Sequence, residues 1–407
     1  MSGRLLLVVA LYPDGGGISA ILENYVVELD AHHEVHVAIV EARPGARERL
    51  ALAPERIHVL GYSNAINPLL MPTSLLYTGA VGLRLRRLVR RLEPSAIITQ
   101  DALNLPVPAL LAAAGSQTAV VVMDHGTLTN VHDDAWLPML VGRLGKLKGP
   151  LFRAGFLADT PWRRARWRVA RRMADELWYT GEELAPWFEP AGARARRYAQ
   201  SVPQDFTPPT AAERQTARDE LGVDQRLTLI NYVGRLDGEK GLADIVGALA
   251  HADRHGDWLM LIGGDGTLSA WLQDAIDERN LGHRVRLLGR LDRGQVRTLQ
   301  HASDFHLYAG TVGCGVSVAL LEAMACAVIP IVSDVPRLQR DLVADSGWVF
   351  PAGDADALER ALVEAVRCGP SERSRRRARV LEQVARRSTP TIAELVEALA
   401  SGRAEDL

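Results

Sequence analysis

The sequence predicts an α/β protein built from two doubly wound parallel-sheet domains that face each other across a cleft. Three observations support this fold class. The 407 residues exceed what one hydrophobic core usually supports. Short apolar runs alternate with stretches of helical periodicity, which is typical of parallel sheets covered by helices on both faces. The alternation stops at one aperiodic segment near the middle of the chain and then begins again.

The first half of the chain contains five short apolar runs that we predict to be strands. Between them, Ile18–Leu29 and Val81–Leu92 have the spacing of amphipathic helices. The first run is followed by Pro13 and a series of glycines without a small-residue cleavage site, so we interpret it as a strand and not as a signal peptide. The predicted strands are Leu5–Ala10, Val35–Val40, Ala96–Thr99, Ala119–Met123 and Glu176–Tyr179.

A break in the middle of the chain separates the two predicted domains. The segment Ser201–Gln215 is rich in proline, threonine and alanine and has no periodicity, so we interpret it as a linker. We place the N-terminal domain at 1–205 and the C-terminal domain at 206–388. We expect 389–407 to form a helix that packs back on the N-terminal domain. Strands of the second half are predicted at Leu227–Val233, Trp258–Gly263, Val285–Leu288, Asp304–Tyr308 and Val328–Val332.

Composition excludes several classes of protein. A net charge of −2 gives no global attraction to nucleic acid, and we expect no nucleic-acid partner. The cysteines Cys314, Cys326 and Cys368 are too few and too scattered for a disulfide framework or a zinc site, which fits a reducing cytoplasm. No stretch approaches the roughly 18 to 20 uninterrupted apolar residues of a membrane span. We therefore expect a cytoplasmic location.

The motif "NYVGRLDGEKG" places two cations between glycines, directly behind a predicted strand. Arg235 offers a planar fork of N–H donors and Lys240 a point charge, a pair suited to the non-equivalent oxygens of a diphosphate. Two cations in a solvated loop are the alternative. The position after a strand favours a ligand site, because ligands of open α/β sheets bind at the carboxyl ends of the strands.

Two further glycine-rich loops point to an anion. "PDGGGIS" joins the first strand to the first helix, and its backbone N–H groups could stabilise an anion, although a plain turn is equally consistent with it. It lacks the G-x-G-x-x-G fingerprint of dinucleotide-binding domains. "YAGTVGCGVSVALLEAMA" runs from a glycine-rich loop into a helix that carries Glu322. Its first amides could hold phosphate oxygens, while the carboxylate could accept hydrogen bonds from the cis-diol of a ribose; an exposed helix glutamate is the alternative.

Together these motifs resemble those of retaining glycosyltransferases with two Rossmann-like domains (the GT-B fold), especially the large family 4 that uses nucleotide-sugar donors. "GRLDGEKG" looks like the diphosphate loop of that family, "LIGGDG" like its next strand and turn, and "LEAMACAVIPIVSDV" like its nucleotide-binding helix and strand. "ADELWYTGEEL" looks like the strand that closes the N-terminal sheet. The resemblance covers most of the chain and is looser in the first half.

The resemblance implies roles for individual residues. Arg235 and Lys240 would neutralise the donor diphosphate, and Glu322 would bind the ribose. Gly16 and Gly17 would approach the phosphates from the facing domain. The backbone of Gly315 and Val316, beside Cys314, would contact the donor. His125, in "VVVMDHGT", looks like the N-domain histidine near the reacting sugar, although a strand-end histidine bonded to the backbone is the plainer interpretation.

The same resemblance has consequences for mechanism. In a retaining reaction the leaving diphosphate itself can assist the attacking hydroxyl, so no strong protein base is required. With two cations in the site we expect no metal ion. The family usually has a second carboxylate eight positions before the ribose glutamate, and Cys314 stands there instead, which puts recognition of the donor sugar in doubt. The usual asparagine of the linker motif is also replaced within "SVPQDF".

The segment 143–172 bears on the acceptor, which we expect to be a glycan, a lipid-linked molecule or a natural product. It has ten lysines and arginines against the single acid Asp159, with Trp162 and Trp167 interleaved. Peripheral contact with the inner face of the membrane is one interpretation. A solvated helix and an acceptor site for a charged molecule are two others.

Two rival functions remain on the same paired domains. A nucleotide-sugar epimerase would convert the donor without an acceptor. A non-catalytic nucleotide-sugar-binding partner of another transferase would bind the donor without turnover, which the cysteine at 314 makes conceivable. A hydride-transferring dehydrogenase is disfavoured by the missing fingerprint.

Overall fold

The computed structural model describes residues 3–13, 17–62, 71–125, 161–162, 164–201, 204–312, 315–386 and 390–401. The chain divides into two compact units. The first comprises Met1–Ser201 together with Thr389–Leu407, and the second comprises Val202–Ser388.

The first unit contains a seven-stranded sheet in the order β3-β2-β1-β4-β5-β6-β7, and all of its strand pairs are parallel. The central strands are buried along most of their length, as expected of strands covered on both faces. The strands are β1 Arg4–Tyr12, β2 Glu34–Ala42, β3 Ile57–Val59, β4 Ala96–Thr99, β5 Ala119–Asp124, β6 Glu176–Tyr179 and β7 Ala195–Arg197.

Helices connect these strands, and the last helix of the chain returns to the first unit. The backbone N–H of Ala393 donates a 3.3 Å hydrogen bond to Glu28 of the first helix. Residues 164–173 are also helical. The helices of this unit are Gly17–Asp30, Met71–Leu92, Pro106–Ala113, Ala185–Phe188 and Ile392–Ser401.

The second unit repeats the plan with six parallel strands in the order β10-β9-β8-β11-β12-β13. Its strands are β8 Thr228–Val233, β9 Trp258–Gly263, β10 Val285–Gly289, β11 Phe305–Tyr308, β12 Ile329–Ser333 and β13 Trp348–Phe350. Its helices are Ala211–Glu220, Leu242–Ala252, Ser269–Glu278, Arg293–Ala302, Val318–Ala325, Arg337–Val343, Ala355–Arg367 and Pro370–Ala385.

In both sheets the strand order reverses next to the first strand of the unit. β1 lies between β2 and β4, and β8 lies between β9 and β11. Such a reversal opens a crevice at the carboxyl ends of the two central strands, where open α/β sheets bind ligands. The loops that follow β8 and β11 therefore start at the expected binding edge of the second unit.

The prediction of two doubly wound parallel sheets is confirmed. Each of the ten predicted strands overlaps a strand of the structure, and β4, β6 and β9 have the predicted bounds. Three strands were not predicted: β3, β7 and β13. Each has only three residues and lies at the edge of its sheet, so its sequence is too short to show a period.

The prediction of a linker as far as Gln215 is wrong at its C-terminal end. The helix Ala211–Glu220 begins inside that segment, and Thr210 and Glu213 form a reciprocal capping box at its start. The spacing Thr-x-x-Glu is a sequence signal for a helix N-terminus and could have located the start of this helix.

Within the described residues, no helix combines the length and apolar character needed to cross a bilayer.

Candidate functional site

The loop after β8 holds Arg235 between two carboxylates. Its guanidinium donates to Asp237 Oδ2 at 2.5 Å and to Glu239 Oε1 at 2.6 Å. The two carboxylate side chains are 6% and 1% exposed, whereas the Arg235 side chain is 39% exposed. Each of the two terminal nitrogens of the fork is thus held by an acid, while the arginine side chain stays partly exposed.

Asp237 also connects this loop to the loop after β9. Its Oδ1 accepts hydrogen bonds from the Thr267 hydroxyl at 2.7 Å and from the Thr267 backbone N–H at 3.1 Å. The backbones of the two loops approach closely, because a Cβ on Gly264 would lie 1.9 Å from the carbonyl oxygen of Gly234. The glycines of "LIGGDG" are therefore required for this contact between loops.

Lys240 lies at the end of a short 3-10 turn, Gly238–Lys240, beside the loop after β11. Its Nζ is 5.9 Å from the centroid of the Tyr308 ring. The next residue, Gly241, has a φ of 65° and precedes the helix Leu242–Ala252; a Cβ there would lie 2.0 Å from the carbonyl oxygen of Ala309. Glycine at 241 thus lets the lysine loop pack directly on the strand end of β11.

The structure therefore brings Arg235 and Lys240 to the switch point of the second sheet, where the sequence motif suggested a diphosphate loop. It also shows two residues that the sequence analysis did not single out, Asp237 and Glu239. They stand inside the quoted motif, at two and four positions after Arg235. Acidic side chains so close to a planar cation were a signal that the cation would be oriented by carboxylates.

The glycine-rich loop after β11 leads to the helix Val318–Ala325. Gly315 has a φ of 70°, and the side chain of Val316 is buried against the core of the second unit. The backbone N–H of Ser317, the N-cap residue, lies 3.3 Å from Gln339 Oε1. Cys314 lies outside the described residues.

Glu322 lies in the second turn of this helix and is 6% exposed, so it is not the exposed helix glutamate of the alternative interpretation. Burial raises the pKa of the neighbouring Cys326 thiol to about 12, and the charge of Glu322 contributes to the increase. The thiol is therefore neutral at physiological pH, and Glu322 lies close enough to influence its titration.

His125 follows β5 in the first unit and belongs to a chain of hydrogen bonds. Its Nε2 lies 2.8 Å from Gln100 Oε1, and its Nδ1 lies 3.2 Å from the Tyr198 hydroxyl. The Tyr25 hydroxyl donates to the Tyr198 hydroxyl at 3.1 Å. With the amide of Gln100 oriented as it is, this arrangement fits an imidazole protonated on Nε2 and accepting at Nδ1.

These partners come from distant parts of the sequence. Gln100 directly follows β4, Tyr25 lies on the helix Gly17–Asp30, and Tyr198 directly follows β7. Side chains from three separate elements thus meet at His125, whose two ring nitrogens contact Gln100 and Tyr198. Gly17 is exposed at the start of its helix; Gly16 lies outside the described residues.

Only part of the basic segment 143–172 is described, namely 161–162 and 164–172. Trp167 is 3% exposed and packs on Phe188 with ring centroids 4.9 Å apart. The indole of Trp167 therefore belongs to the core of the first unit and does not lie on its surface.

The described residues contain no group of three or more histidine, cysteine, aspartate or glutamate side chains arranged to hold a metal ion. Asp354 and Asp356 are carboxylates two positions apart, which makes them candidate metal ligands by residue type. Asp354 is the N-cap of the helix Ala355–Arg367, where its carboxylate accepts a 2.8 Å hydrogen bond from the backbone of Ala357. That role explains the aspartate at 354 without a metal.

Comparison with protein families identifies both halves of the chain. The model described as "Glycosyltransferase Family 4" matches residues 15–180, and the model described as "Glycosyl transferases group 1" matches residues 213–380. Together the two matches include β2 to β6 of the first unit and β8 to β13 of the second, the helix that carries Glu322, and the loops that carry His125 and Arg235.

Curated relatives match over shorter stretches. The chain is 28% identical over 188 residues to the GDP-mannose-dependent monoacylated alpha-(1-6)-phosphatidylinositol monomannoside mannosyltransferase of Corynebacterium glutamicum, covering 44% of this chain and 47% of the relative. It is 33% identical over 141 residues to the amylovoran biosynthesis glycosyltransferase AmsK of Erwinia amylovora, covering 32% of this chain and 34% of that protein. The matched region thus spans less than half the length of each of these relatives.

Solved structures match over nearly the whole chain. The Anabaena protein HepE in complex with UDP-glucose has a TM-score of 0.69 at 16% identity, covering 98% of this chain and 99% of that one. WaaG, a glycosyltransferase involved in lipopolysaccharide biosynthesis, has a TM-score of 0.67 at 15% identity, covering 99% of both chains. At these identities the likeness shows the fold.

Proposed function

The chain belongs to the group 1 and family 4 glycosyltransferases, and on that premise we propose that it moves a sugar from a nucleotide-diphosphate sugar to a hydroxyl group of an acceptor, with retention of anomeric configuration. The observation that carries the proposal is the placement of Arg235 and Lys240. Both lie in the loop that follows β8, at the carboxyl edge of the second sheet, where nucleotides bind in such sheets.

In this proposal the diphosphate binds at the exposed side of Arg235 and beside Lys240. As the sugar leaves, negative charge develops on the diphosphate, and fixed cations there lower the barrier more than they lower the energy of the bound donor. Asp237 and Glu239 hold the guanidinium in place, so little reorganisation is needed at the moment of reaction. Glu322 accepts hydrogen bonds from the ribose, and the backbone of Gly315 and Val316 contacts the donor.

The N-terminal contribution centres on His125. We assign it a place near the reacting sugar, where its orientation is fixed by the bonds of its Nε2–H to Gln100 and of its Nδ1 to the Tyr198 hydroxyl. Gly16 and Gly17 are assigned to the phosphates. The acceptor hydroxyl attacks from the side on which the diphosphate departs, so the leaving group itself takes up the proton.

We further propose that catalysis needs no metal ion, because two cations serve the diphosphate directly. Activity should survive EDTA unchanged. Loss of activity with EDTA and recovery with magnesium would contradict this part of the proposal and leave the transferase assignment intact.

The donor sugar is expected to be unusual at the position that the second family carboxylate would contact, since a thiol at 314 is only a weak hydrogen-bonding partner. A donor sugar that lacks a hydroxyl at that position, or carries another substituent there, fits this pattern.

The acceptor is a glycan, a lipid-linked molecule or a natural product. A cytoplasmic location, at the inner face of the membrane where the acceptor is lipid-linked, is consistent with these substrates.

A panel of nucleotide sugars tests the proposal. The true donor should raise the melting temperature as its concentration exceeds its dissociation constant, and Lys240→Ala should reduce that rise. NMR of the product should show the anomeric configuration of the donor. Conversion of the donor without any acceptor would indicate the epimerase instead, and stabilisation without turnover against any acceptor would indicate the non-catalytic partner.

A further inference from the structure

Several arginines converge on the single carboxylate of Asp304 in the second unit. Asp304 lies directly before β11, and its Oδ2 accepts a 3.0 Å hydrogen bond from the backbone N–H of Leu229 in β8. Both residues stand at the amino ends of their strands. Since β8 has six residues at about 3.3 Å each, roughly 15 to 20 Å separate this position from the loop that carries Arg235 and Lys240. The arginines around Asp304 are therefore not part of the candidate donor site.

The arginines come in two pairs, and the two members of each pair are four residues apart on one helix. Such residues lie on the same side of a helix, and two like charges at this spacing destabilise it. We call the four residues the arginine cluster: Arg214 and Arg218 of the helix Ala211–Glu220, and Arg373 and Arg377 of the helix Pro370–Ala385. Their nearest nitrogens lie 2.7, 2.8, 3.8 and 2.8 Å from the oxygens of Asp304, in that order.

The cluster has more positive charge than its surroundings offset. In the described part of the chain, Asp304 is the one carboxylate that pairs with the four guanidiniums, which leaves three positive charges in excess. Backbone carbonyls at the C-terminal ends of the helices Arg293–Ala302 and Ala355–Arg367 accept hydrogen bonds from Arg214 and Arg373. A helix C-terminus counts for about half a negative charge, so two of them leave an excess of about two positive charges.

Part of the cluster is open to solvent. The side chains of Arg377 and Arg214 are 32% and 23% exposed, whereas that of Arg218 is 2% exposed. Arg377 uses one terminal nitrogen for Asp304, and its Nε and its other terminal nitrogen have no partner among the residues that the structure describes. Three of its five N–H donors are therefore available to a ligand.

Repulsion within the cluster acts on Arg214. Burial lowers the pKa of Arg214 to about 10; the charge of Asp304 opposes this decrease, while the charges of Arg377, Arg218 and Arg373 add to it. Arg214 stays protonated at neutral pH, so the repulsion is not relieved by loss of a proton. A bound anion would relieve it, because it would supply negative charge that the protein lacks at this position.

We propose that the arginine cluster is a binding site for a small molecule that carries a phosphate group. A phosphate monoester has a charge of about −1.5 to −2 at pH 7 and three acceptor oxygens, which matches the excess charge and the open donors of Arg377. The ligand is small, because the cations converge on one carboxylate and do not form a stripe along the surface. The site lies at the opposite end of β8 from the proposed donor loop, so the proposal does not depend on sugar transfer.

Isothermal titration calorimetry of the full chain with inorganic phosphate tests the proposal. The buffer contains chloride at constant ionic strength, and its pH lies above the second pKa of phosphate, so that the dianion prevails. We expect the wild type to bind phosphate, and Arg377→Gln to bind it at least about tenfold more weakly, since one charge-assisted hydrogen bond to the anion is lost. Asp304 keeps Arg214 and Arg218 as partners in this variant, and circular dichroism verifies that it is folded.

Two control variants separate the cluster from other cations. Arg375→Gln changes an arginine of the same helix that is 71% exposed and pairs with Glu372, and it should bind phosphate like the wild type. Lys240→Ala changes the proposed donor loop and should keep the binding that Arg377→Gln loses. Loss of phosphate binding in Lys240→Ala but not in Arg377→Gln would place the anion at the donor loop and overturn the proposal.

Asp304→Asn gives a test of the opposite sign. Asparagine removes the carboxylate that competes for the same arginines, so phosphate should bind this variant more tightly than it binds the wild type. Phosphate should also raise the urea midpoint of the variant by more than it raises that of the wild type. An affinity no higher than that of the wild type would contradict the proposal. If the variant does not fold even with phosphate, the comparison of Arg377→Gln with Arg375→Gln decides.

Three further results would overturn the proposal. The first is a wild type that shows no binding of phosphate beyond the effect of chloride. The second is equal weakening by Arg375→Gln and Arg377→Gln, because phosphate would then respond only to the general charge of the helix. The third is a glutamate-rich peptide that binds more tightly than phosphate and loses its affinity in Arg377→Gln, which would show that the cluster takes an acidic protein segment.

Discussion

The guanidinium of Arg235 lies between the carboxylates of Asp237 and Glu239, 2.5 Å and 2.6 Å from their nearest oxygens. The carboxylates are nearly buried, and the arginine is partly exposed. The cation proposed to meet the donor is thus also the partner of two buried charges. Replacing Arg235 should therefore weaken binding of the donor and also lower the stability of the fold.

Lys240→Ala should weaken donor use by about 10 to 150-fold, the value of one charge-assisted hydrogen bond of roughly 1.5 to 3 kcal/mol. Arg235→Ala should weaken donor use by a similar factor and should also lower the melting temperature, because Asp237 and Glu239 lose their cation. Kinetics and thermal unfolding are measured for both variants. Unchanged kinetics in both would remove the diphosphate from this loop.

Glu322→Gln should raise the KM for the donor more than it lowers kcat. The ribose is remote from the reacting carbon, so most of its binding is shared by the ground state and the transition state. Glu322 is buried, and glutamine has nearly the same shape as glutamate. We therefore expect the variant to fold, so that its kinetic constants can be compared with those of the wild type. A donor KM equal to that of the wild type would exclude Glu322 from the ribose site.

Tyr198→Phe should lower kcat/KM by about two- to twelvefold, from the loss of one neutral hydrogen bond of roughly 0.5 to 1.5 kcal/mol. The effect depends on His125, whose Nδ1 the tyrosine contacts. In a His125→Ala background the same change should therefore have almost no further effect, as a double-mutant cycle would show. An undiminished loss in that background would mean that Tyr198 does not act through His125.

Asp304→Asn should destabilise the second unit by about 3 to 5 kcal/mol, because breaking a buried ion pair leaves charges uncompensated. Asp304 is 5% exposed and pairs with Arg214, Arg218 and Arg377 at 2.7 to 2.8 Å. The urea midpoint is the measurement, and Asp257→Asn, at a side chain 85% exposed, is the control. Equal midpoints for the two variants would contradict the role of Asp304.

His306 should make the second unit sensitive to acid. Complete burial lowers the pKa of His306 to about 3, so the unfolded chain binds this proton at higher pH than the folded protein does. Its stabilising contribution is present above about pH 6.5 and is lost as the pH falls toward 3. His306→Asn should flatten the dependence of unfolding free energy on pH in that window by up to about 1.4 kcal/mol per pH unit.

The exposed-site variant His283→Asn removes a histidine from the surface of the same unit and serves as the control. Free energies of unfolding are obtained from urea titrations between pH 7 and pH 4. If His306→Asn and His283→Asn give the same pH dependence as the wild type, burial of His306 does not govern the acid sensitivity.

The sequence by itself determined the fold class, the ten principal strands and the family, because buried parallel strands are continuous apolar runs and the glycine-rich loops carry a recognisable pattern. The strands β3, β7 and β13 could not be found in this way. They exist because a neighbouring strand offers its edge for pairing, and that neighbour is distant in sequence.

Only the tertiary structure decided how the candidate residues are held. The cations of "GRLDGEKG" were visible in the sequence, and so were the acids, but the pairing of Arg235 with Asp237 and Glu239 depends on the loop conformation that Thr267 and the glycines after β9 impose. Likewise, His125 meets Gln100 and Tyr198 because parallel strands bring their carboxyl ends to one edge. Gln100 and Tyr198 are 25 and 73 residues away from His125 in the sequence, so no local sequence pattern could predict these contacts.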